Sequence, residues 1–165
     1  MANPPSSHYP NIGTLGEDLV AQWLQSTAWI VLHRRFSCRW GEIDIIAQFE
    51  DGKPDNLMLA FIEVKTRSSG NWDAGGRSAI TPQKQAKLWR TAQMFLSEYP
   101  DKADYPCRFD VAIVQSQRIS KKLRDSVIPS QKVLAITENR VHQLTLQEYI
   151  PAAFDLNSFI TITNG

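Results

Sequence analysis

Residues 41–67 read GEIDIIAQFEDGKPDNLMLAFIEVKTR and predict two β-strands joined by a turn. The first segment, 42–47, begins with alternating polar and apolar residues, which is typical of a half-buried strand. The second, 57–62, is continuously apolar, as expected of a central strand that is buried on both faces. Between them, 50–56 holds a dense cluster of turn-forming residues. We therefore expect a hairpin with a longer loop.

The hairpin brings acidic residues together. Strand side chains alternate between the faces of a sheet, so Glu42 and Asp44 share one face, as do Glu63 and Lys65 on the next strand. If the hairpin is centred on its turn cluster, Asp44 lies opposite Glu63, and Glu42 lies opposite Lys65. Directly opposed residues have Cβ atoms about 4.5–5.5 Å apart, which lets two carboxylates share one ion. A register shifted by two residues stays open.

Opposed carboxylates need a compensating positive charge, because like charges destabilise a sheet. Lys65 supplies one such charge, and a divalent cation would supply more. The nearby ligands are oxygen atoms, with no His or Cys, which favours Mg²⁺ or Mn²⁺ over Zn²⁺. Such an ion could orient a water molecule and stabilise charge on a phosphoryl group. Lys65 could position or deprotonate that water, or stabilise the developing negative charge.

The same residues could instead form a solvated ion pair on a half-exposed sheet, with no function. The apolar strand 57–62 argues against exposure, and buried charges are typical of functional sites. Glu42 is a secondary candidate, because it could simply pair with Lys65 or with an arginine.

Apolar residues recur at helical spacing before the hairpin and predict a helix over 14–26. Thr14 followed by Glu17 matches a capping box that would start this helix. Glu17 therefore has two open interpretations, as a capping partner or as a spare carboxylate beside the buried stripe. Residues 1–12, rich in Pro, Ser and Asn, predict a flexible lead-in.

A second helix follows the hairpin, with Thr81 as its N-cap, Pro82 in its first turn and Pro100 as its stop. Strand patterns outside the hairpin lie at 29–32, 107–114 and 133–136. The segment 141–150 is ambiguous between a strand and a short helix. The order α-β-β-β-α-β-β predicts one mixed α/β domain over 13–150, followed by a C-terminal tail over 151–165.

Composition excludes several classes of protein. The chain has 165 residues, 42% of them hydrophobic, which suffices for a core without disulfides or metals. A net charge of +1 excludes a histone-like protein that coats nucleic acid by bulk charge. Two cysteines without zinc-binding spacing fit a reducing compartment. The start has no signal-peptide pattern and no apolar run is long enough to span a membrane, so we expect a cytoplasmic protein without a membrane partner.

Basic residues near the hairpin are candidate phosphate contacts. Arg67 follows the second strand and could clamp a phosphate. Lys84 and Lys87 lie in the first turns of the second helix, where cations oppose the helix dipole. They could meet phosphates there, or they could be simply solvated. A stretch of basic and aromatic residues fits either a backbone contact or a charge-protected sheet edge, and its candidates are Arg34, Arg35, Arg39 and Trp40.

The motifs GEID at 41–44 and FIEVKTR at 61–67 resemble the D…E-x-K core of the PD-(D/E)XK nuclease superfamily. Ile43 stands where the superfamily name has Pro. The likeness narrows to the YraN-like (UPF0102) family of uncharacterised bacterial proteins, similar to archaeal Holliday-junction resolvases. It covers about residues 13–115. Its further motifs are Gly13-x-x-Gly16-Glu17, DIIA at 44–47 and RFDV at 108–111.

The resemblance implies a restriction-endonuclease-like core, in which helices flank a mixed sheet. It implies Asp44, Glu63 and the main-chain carbonyl of Val64 as ligands of Mg²⁺ or Mn²⁺. It also implies Lys65 as the catalytic lysine and Glu17 as the helix glutamate that completes the site. The implied substrate is DNA, with branched DNA included.

We therefore expect a metal-dependent endonuclease that hydrolyses DNA phosphodiester bonds. The residues expected to contact the nucleic acid are Arg67, Lys84, Lys87 and Arg35. The main alternative is a nuclease-fold module that binds DNA or a protein partner without cutting. The near-neutral charge favours this alternative, whereas the intact acidic pair favours the enzyme. A metal-dependent phosphatase acting on small substrates is a third interpretation, and a homodimer stays open.

Overall fold

The computed structural model describes residues 11–68, 80–119 and 133–154. Within these ranges the chain forms a six-stranded mixed sheet with two α-helices, neither of which is long and apolar enough to cross a membrane. The helices are α1 (Ile12–Gln25) and α2 (Pro82–Glu98). The strands are β1 (Trp29–Cys38), β2 (Gly41–Phe49), β3 (Met58–Ser68), β4 (Cys107–Arg118), β5 (Ala135–Glu138) and β6 (His142–Phe154).

The predicted hairpin, β2 and β3, lies in the middle of the sheet. The strand order is β1-β2-β3-β4-β6-β5, with β3 and β4 parallel and the other neighbours antiparallel. Ile45 pairs with Ile62, and Phe49 pairs with Met58. This ladder confirms the predicted register over its five pairs, and Asp44 and Glu63 are the next residues beyond its end.

The sheet separates two hydrophobic cores, because alternate residues of β3 face different helices. Ala60 and Ile62 lie in the core that α1 covers. Leu59 and Phe61 lie in the core that α2 covers, where Phe61 contacts Phe95. Burial on both faces explains the unbroken apolar run of β3.

The predicted strand pattern needs correction at β1, on one edge of the sheet, and at β6, next to the other edge. β1 extends to Cys38 instead of ending at 32, because the basic residues that follow pair with β2 along an exposed edge. The ambiguous segment 141–150 belongs to strand β6, which pairs with β4 and buries Leu144 and Leu146. The element order is therefore α-β-β-β-α-β-β-β. Strand β5 begins at Ala135.

The start of the predicted C-terminal tail changes as well. β6 continues into the predicted C-terminal tail, to Phe154, and residues 155–165 lie outside the described residues, as do 1–10.

Helix α1 begins earlier than predicted because Asn11 is its N-cap. The amide of Thr14 donates to Asn11 Oδ1 at 2.8 Å. The capping-box interpretation of Thr14 and Glu17 is therefore wrong, since Asn caps a helix as well as Thr does. The N-cap predicted for α2 is confirmed, because the amide of Lys84 donates to Thr81 Oγ1 at 3.2 Å.

Buried Asp110 anchors strand β6 to β4. It is 1% exposed, and its carboxylate accepts hydrogen bonds from Tyr149 Oη at 2.6 Å and from the amide of Ala152 at 2.9 Å. Arg108 Nε donates to the same carboxylate at 3.1 Å. Ala152 has a φ of 48°, a left-handed conformation that a non-glycine residue adopts at a cost. The RFDV motif thus has a structural role, because its aspartate holds this bend.

Gly16 marks the closest approach of α1 to β3, because a Cβ built there would overlap with Thr66 Oγ1. Thr66 is β-branched and stiff, so Gly16→Ala should displace the helix from the strand. We expect the free energy of unfolding in urea to fall by about 1–3 kcal/mol. Gly13→Ala is the matched control, because its Cβ would meet only Asn11 Oδ1, at 3.3 Å. Equal losses in both variants would contradict this account.

Candidate active site

Strands β2 and β3 separate at Asp44 and Glu63 and leave a fork in the centre of the sheet. The ladder between them ends at the Ile45–Ile62 pair, although β2 reaches back to Gly41 and β3 reaches on to Ser68. Beyond that pair β2 continues in its ladder with β1, and β3 continues in its ladder with β4. The opening leaves the polar groups of β2 and β3 just beyond the end of their ladder, next to the apolar pairs of the hairpin.

Asp44 bridges the fork, because the amide of Val64 donates to Asp44 Oδ2 at 2.8 Å. The side-chain alternation of β2 changes phase at this residue. Ile43 and Ile46 both lie in the core that α2 covers, whereas Ile45 lies in the core that α1 covers. The carboxylate of Asp44 is therefore directed towards β3. The alternation of β2 side chains between the two faces of the sheet is interrupted at this residue.

Glu63 is the centre of an ion-pair cluster on the α2 side of the fork. Its Oε1 lies 2.9 Å from Lys65 Nζ and 2.5 Å from Lys84 Nζ, and Glu63 is 7% exposed. The contact with Lys84 joins α2 to β3 across 21 residues of sequence, and no local pattern predicts it. Lys84, predicted as a phosphate contact, thus neutralises Glu63 in this structure.

The cluster shifts the proton affinities of its members. Burial and the neighbouring Glu63 raise the pKa of Asp44 to about 7, against the opposing hydrogen bond from Val64. Burial lowers the pKa of Lys65, although its hydrogen bond to Glu63 opposes the shift. Burial acts to lower the pKa of Lys84, but the hydrogen bond and charge of Glu63, together with its other neighbours Lys65 and Asp44, outweigh burial and the pKa is raised. Perturbed groups that gather in one cluster are typical of functional sites.

Glu17 and Arg35 lie on the α1 side of the fork. Arg35 Nε donates to Glu17 Oε2 at 2.8 Å, and the contact raises the pKa of Arg35. Glu17 is also close enough to Asp44 to contribute to its raised pKa. In the β1–β2 register Arg35 falls opposite Asp44, and its φ of 51° is a left-handed conformation. Arg35, predicted to contact nucleic acid, thus pairs with the helix glutamate in this structure.

The remaining candidates border the cluster or lie apart from it. Arg67 follows Lys65 on the same side of β3, and its buried Nε has no hydrogen-bond partner among the described residues. Lys87 is exposed on α2. Glu42 is exposed and accepts a hydrogen bond from Ser37 Oγ at 2.7 Å. Its predicted position opposite Lys65 is wrong, because the two strands have already separated there.

The donor set fits a divalent cation with a preference for oxygen. Asp44 and Glu63 offer carboxylate oxygens from the two arms of the fork, and Val64 offers a main-chain carbonyl. No group of three or more His, Cys, Asp or Glu side chains poised for a metal occurs in the part of the chain that the structure describes. An ion here would therefore keep several waters, as Mg²⁺ usually does. Burial and the negative charge of Glu63 raise the pKa of Asp44, so a cation bound beside Asp44 would stabilise its charged form.

The fold and this cluster define a mixed α/β protein with a central acidic and lysine site. The sequence model described as Uncharacterised protein family UPF0102 matches residues 16–114. A UPF0102 protein of Nostoc sp. is 63% identical over 145 residues, covering 88% of this chain and 94% of that protein. Similar proteins of Trichormus variabilis (60% over 145 residues, 88% and 95% covered) and Acaryochloris marina (46% over 155 residues, 88% and 90% covered) also match. The chain belongs to family UPF0102, as its motifs predicted.

Proposed function

We propose that this protein is a nuclease that uses Mg²⁺ or Mn²⁺ to hydrolyse phosphodiester bonds in DNA. The observation that carries the proposal is the Asp44–Glu63 pair at the fork, with Lys65 2.9 Å from Glu63. Buried, crowded carboxylates reduce the stability of a fold unless a bound cation compensates them. The pair on a central hairpin supports a restriction-endonuclease-like core, as the resemblance to the PD-(D/E)XK superfamily implies.

Each member of the cluster then has a role in hydrolysis. Asp44, Glu63 and the carbonyl of Val64 would hold the ion, which supplies Lewis-acid stabilisation of charge on the phosphoryl group. Lys65 positions the attacking water, and its lowered pKa allows it to accept a proton. The water oxygen bonds to phosphorus, one P–O ester bond breaks, and the leaving oxygen takes up a proton. Glu17 borders the site from the α1 side.

Basic residues next to the cluster fit the rest of the substrate. The Nε of Arg67, which has no hydrogen-bond partner among the described residues, would donate to a phosphate oxygen beside Lys65. Lys87 extends the positive charge along α2, and Arg35 can contact the strand from the other side of the fork.

Cleavage assays on labelled duplex, single-stranded, flap and four-way DNA test the proposal. We expect at least one of these substrates to be cut in the presence of Mg²⁺ or Mn²⁺. Glu63→Gln should abolish cutting, because it keeps the shape of the side chain and removes its charge. Glu98→Gln, at the exposed end of α2, is the matched control. Failure to cut all four substrates with both ions would refute the nuclease.

One observation favours a second candidate, a nuclease-fold module that binds DNA or a protein without cutting. Glu63 already has two ammonium partners, so its charge is compensated without an added ion. Binding of DNA that is unaffected by Glu63→Gln, without any cleavage, would support this candidate.

The proposal extends to assembly and location. A homodimer would present two forks to the paired strands of a branched DNA, and sedimentation of the protein with a four-way junction tests this. A cytoplasmic location suits the free thiols of Cys38 and Cys107, which stay reduced there.

A further inference from the structure

Trp40, at the tip of the β1–β2 hairpin, contacts two arginines from different parts of the chain. Arg39 Cζ lies 4.8 Å from the centroid of the Trp40 ring, and Arg90 Cζ, from α2, lies 4.5 Å from it. Both arginines are exposed, and Trp40 is half-buried. We call these three residues the Trp40 cluster.

In the part of the chain that the structure describes, the two guanidinium groups of the Trp40 cluster have no acidic partner. Within the described ranges, neither Arg39 nor Arg90 forms a salt bridge, whereas Arg34 and Arg35 are paired with acidic residues of α1. Stacking on an aromatic ring limits the motion of an arginine while its N–H groups stay directed to solvent. A planar guanidinium group can donate two parallel hydrogen bonds to two oxygens of a phosphate, so two oriented guanidinium groups without an acidic partner among the described residues suit a phosphate ligand.

The Trp40 cluster and the fork lie along the same two elements. Arg90 follows Lys84 by six residues of α2, or about 9 Å at the rise of a helix. Trp40 precedes Asp44 by four residues, or about 13 Å at the rise of a strand. Lys87 is exposed between Lys84 and Arg90. Along the axis of a duplex each strand carries one charge per about 3.4 Å, so this separation, measured along that axis, corresponds to about three nucleotides.

We propose that the Trp40 cluster binds a backbone phosphate about three nucleotides from the cleaved one, on the same DNA strand. This inference rests on the proposed function, because it takes DNA as the partner. A nucleic acid is favoured over an acidic protein because its phosphates repeat at a fixed spacing. One strand can therefore reach the fork and the cluster together.

Binding of labelled duplex DNA in EDTA, followed by fluorescence anisotropy over a range of NaCl concentrations, tests the contact without cleavage. Arg39→Ala and Arg90→Ala should each weaken binding by about 3–10-fold and lower the slope of log affinity against log salt by about 1. Trp40→Ala should weaken binding with less change in slope, since both charges remain. Lys53→Ala removes one charge from the turn at the other end of β2 and should change neither quantity.

The position of the contacted phosphate is tested with duplexes that carry one neutral methylphosphonate linkage each. The affinity of the wild type for DNA should drop when the contacted linkage is neutral. Neutralising that linkage should not change the affinity of Arg90→Ala, because this variant has already lost the contact. Normal melting temperatures would show that the variants are folded.

The outcomes separate this inference from the proposed function. If the wild type binds DNA and both arginine variants match Lys53→Ala, the Trp40 cluster is not a phosphate contact, and the nuclease proposal stands. If the wild type does not bind DNA even at low salt, both are overturned. If a labelled polyglutamate peptide binds instead, and does so through Arg39 and Arg90, the surface fits an acidic protein and the DNA contact is refuted.

Discussion

Lys65→Met is expected to lower the rate of metal-dependent DNA cleavage by about 10²–10⁴-fold, while DNA affinity changes much less. Lys65 Nζ lies 2.9 Å from Glu63 Oε1, beside the carboxylates that would hold the ion. Met keeps most of the aliphatic stem of the side chain, while the ammonium group is lost. Single-turnover cleavage at saturating enzyme measures the chemical step without a contribution from binding.

Lys53→Met is the control for this experiment, because it makes the same exchange in the exposed β2–β3 turn. Burial lowers the pKa of Lys65, so a neutral amine forms at a lower pH than it does in water. If Lys65 takes the proton of the attacking water, the wild-type rate should rise with pH until that pKa is passed. If Lys65→Met cuts DNA at the wild-type rate, Lys65 has no role in the reaction.

Asp44→Asn should stabilise the metal-free protein by about 1–4 kcal/mol above neutral pH. The folded-state pKa of Asp44, about 7, lies above its ordinary value, so the folded state binds more protons than the unfolded state between about pH 4 and pH 7. Wild-type stability should therefore fall as the pH rises through this range. Asn can still accept the hydrogen bond from Val64, so the variant loses the charge and keeps the contact. Urea denaturation in EDTA at several pH values measures both effects.

The same variant separates ion binding from general stabilisation. A ligand bound by the folded state alone raises the free energy of unfolding by about 2.7 kcal/mol at 100 times its Kd. Mg²⁺ or Mn²⁺ should therefore raise the melting temperature of the wild type and leave that of Asp44→Asn unchanged. Asp55→Asn, in the exposed turn Pro54–Asn56, should respond as the wild type does. Equal shifts in the wild type and Asp44→Asn would place the ion elsewhere.

The β2–β3 hairpin could be predicted because its signals are local. Alternation, an apolar run and a turn cluster fix the two strands, and the turn centre fixes their register, which the Ile45–Ile62 pair confirms. The edges of the sheet were harder to predict. β1 continues through basic residues, and β6 mixes polar and apolar residues, because edge and half-exposed strands carry weaker patterns than a central one.

Local patterns also predicted which residues belong to the candidate site better than they predicted which side chains contact those residues. Glu63 and Lys65 form an ion pair, and Asp44 lies beside them at the fork, where it accepts a hydrogen bond from the amide of Val64. Glu42 does not join them, because the ladder ends at the fork and the strands separate. A change of phase inside one strand depends on which neighbours cover its two faces.

Local sequence alone determined the central hairpin and its register, because residues close along the chain pair through backbone periodicity. Tertiary structure decided which cations meet the acidic residues of the candidate site. Lys84 reaches Glu63, Arg35 reaches Glu17, and Arg90 reaches Trp40 only because α1 and α2 pack on opposite faces of the sheet. Such contacts join residues many positions apart, and they depend on the burial of two apolar cores that no short stretch of sequence specifies.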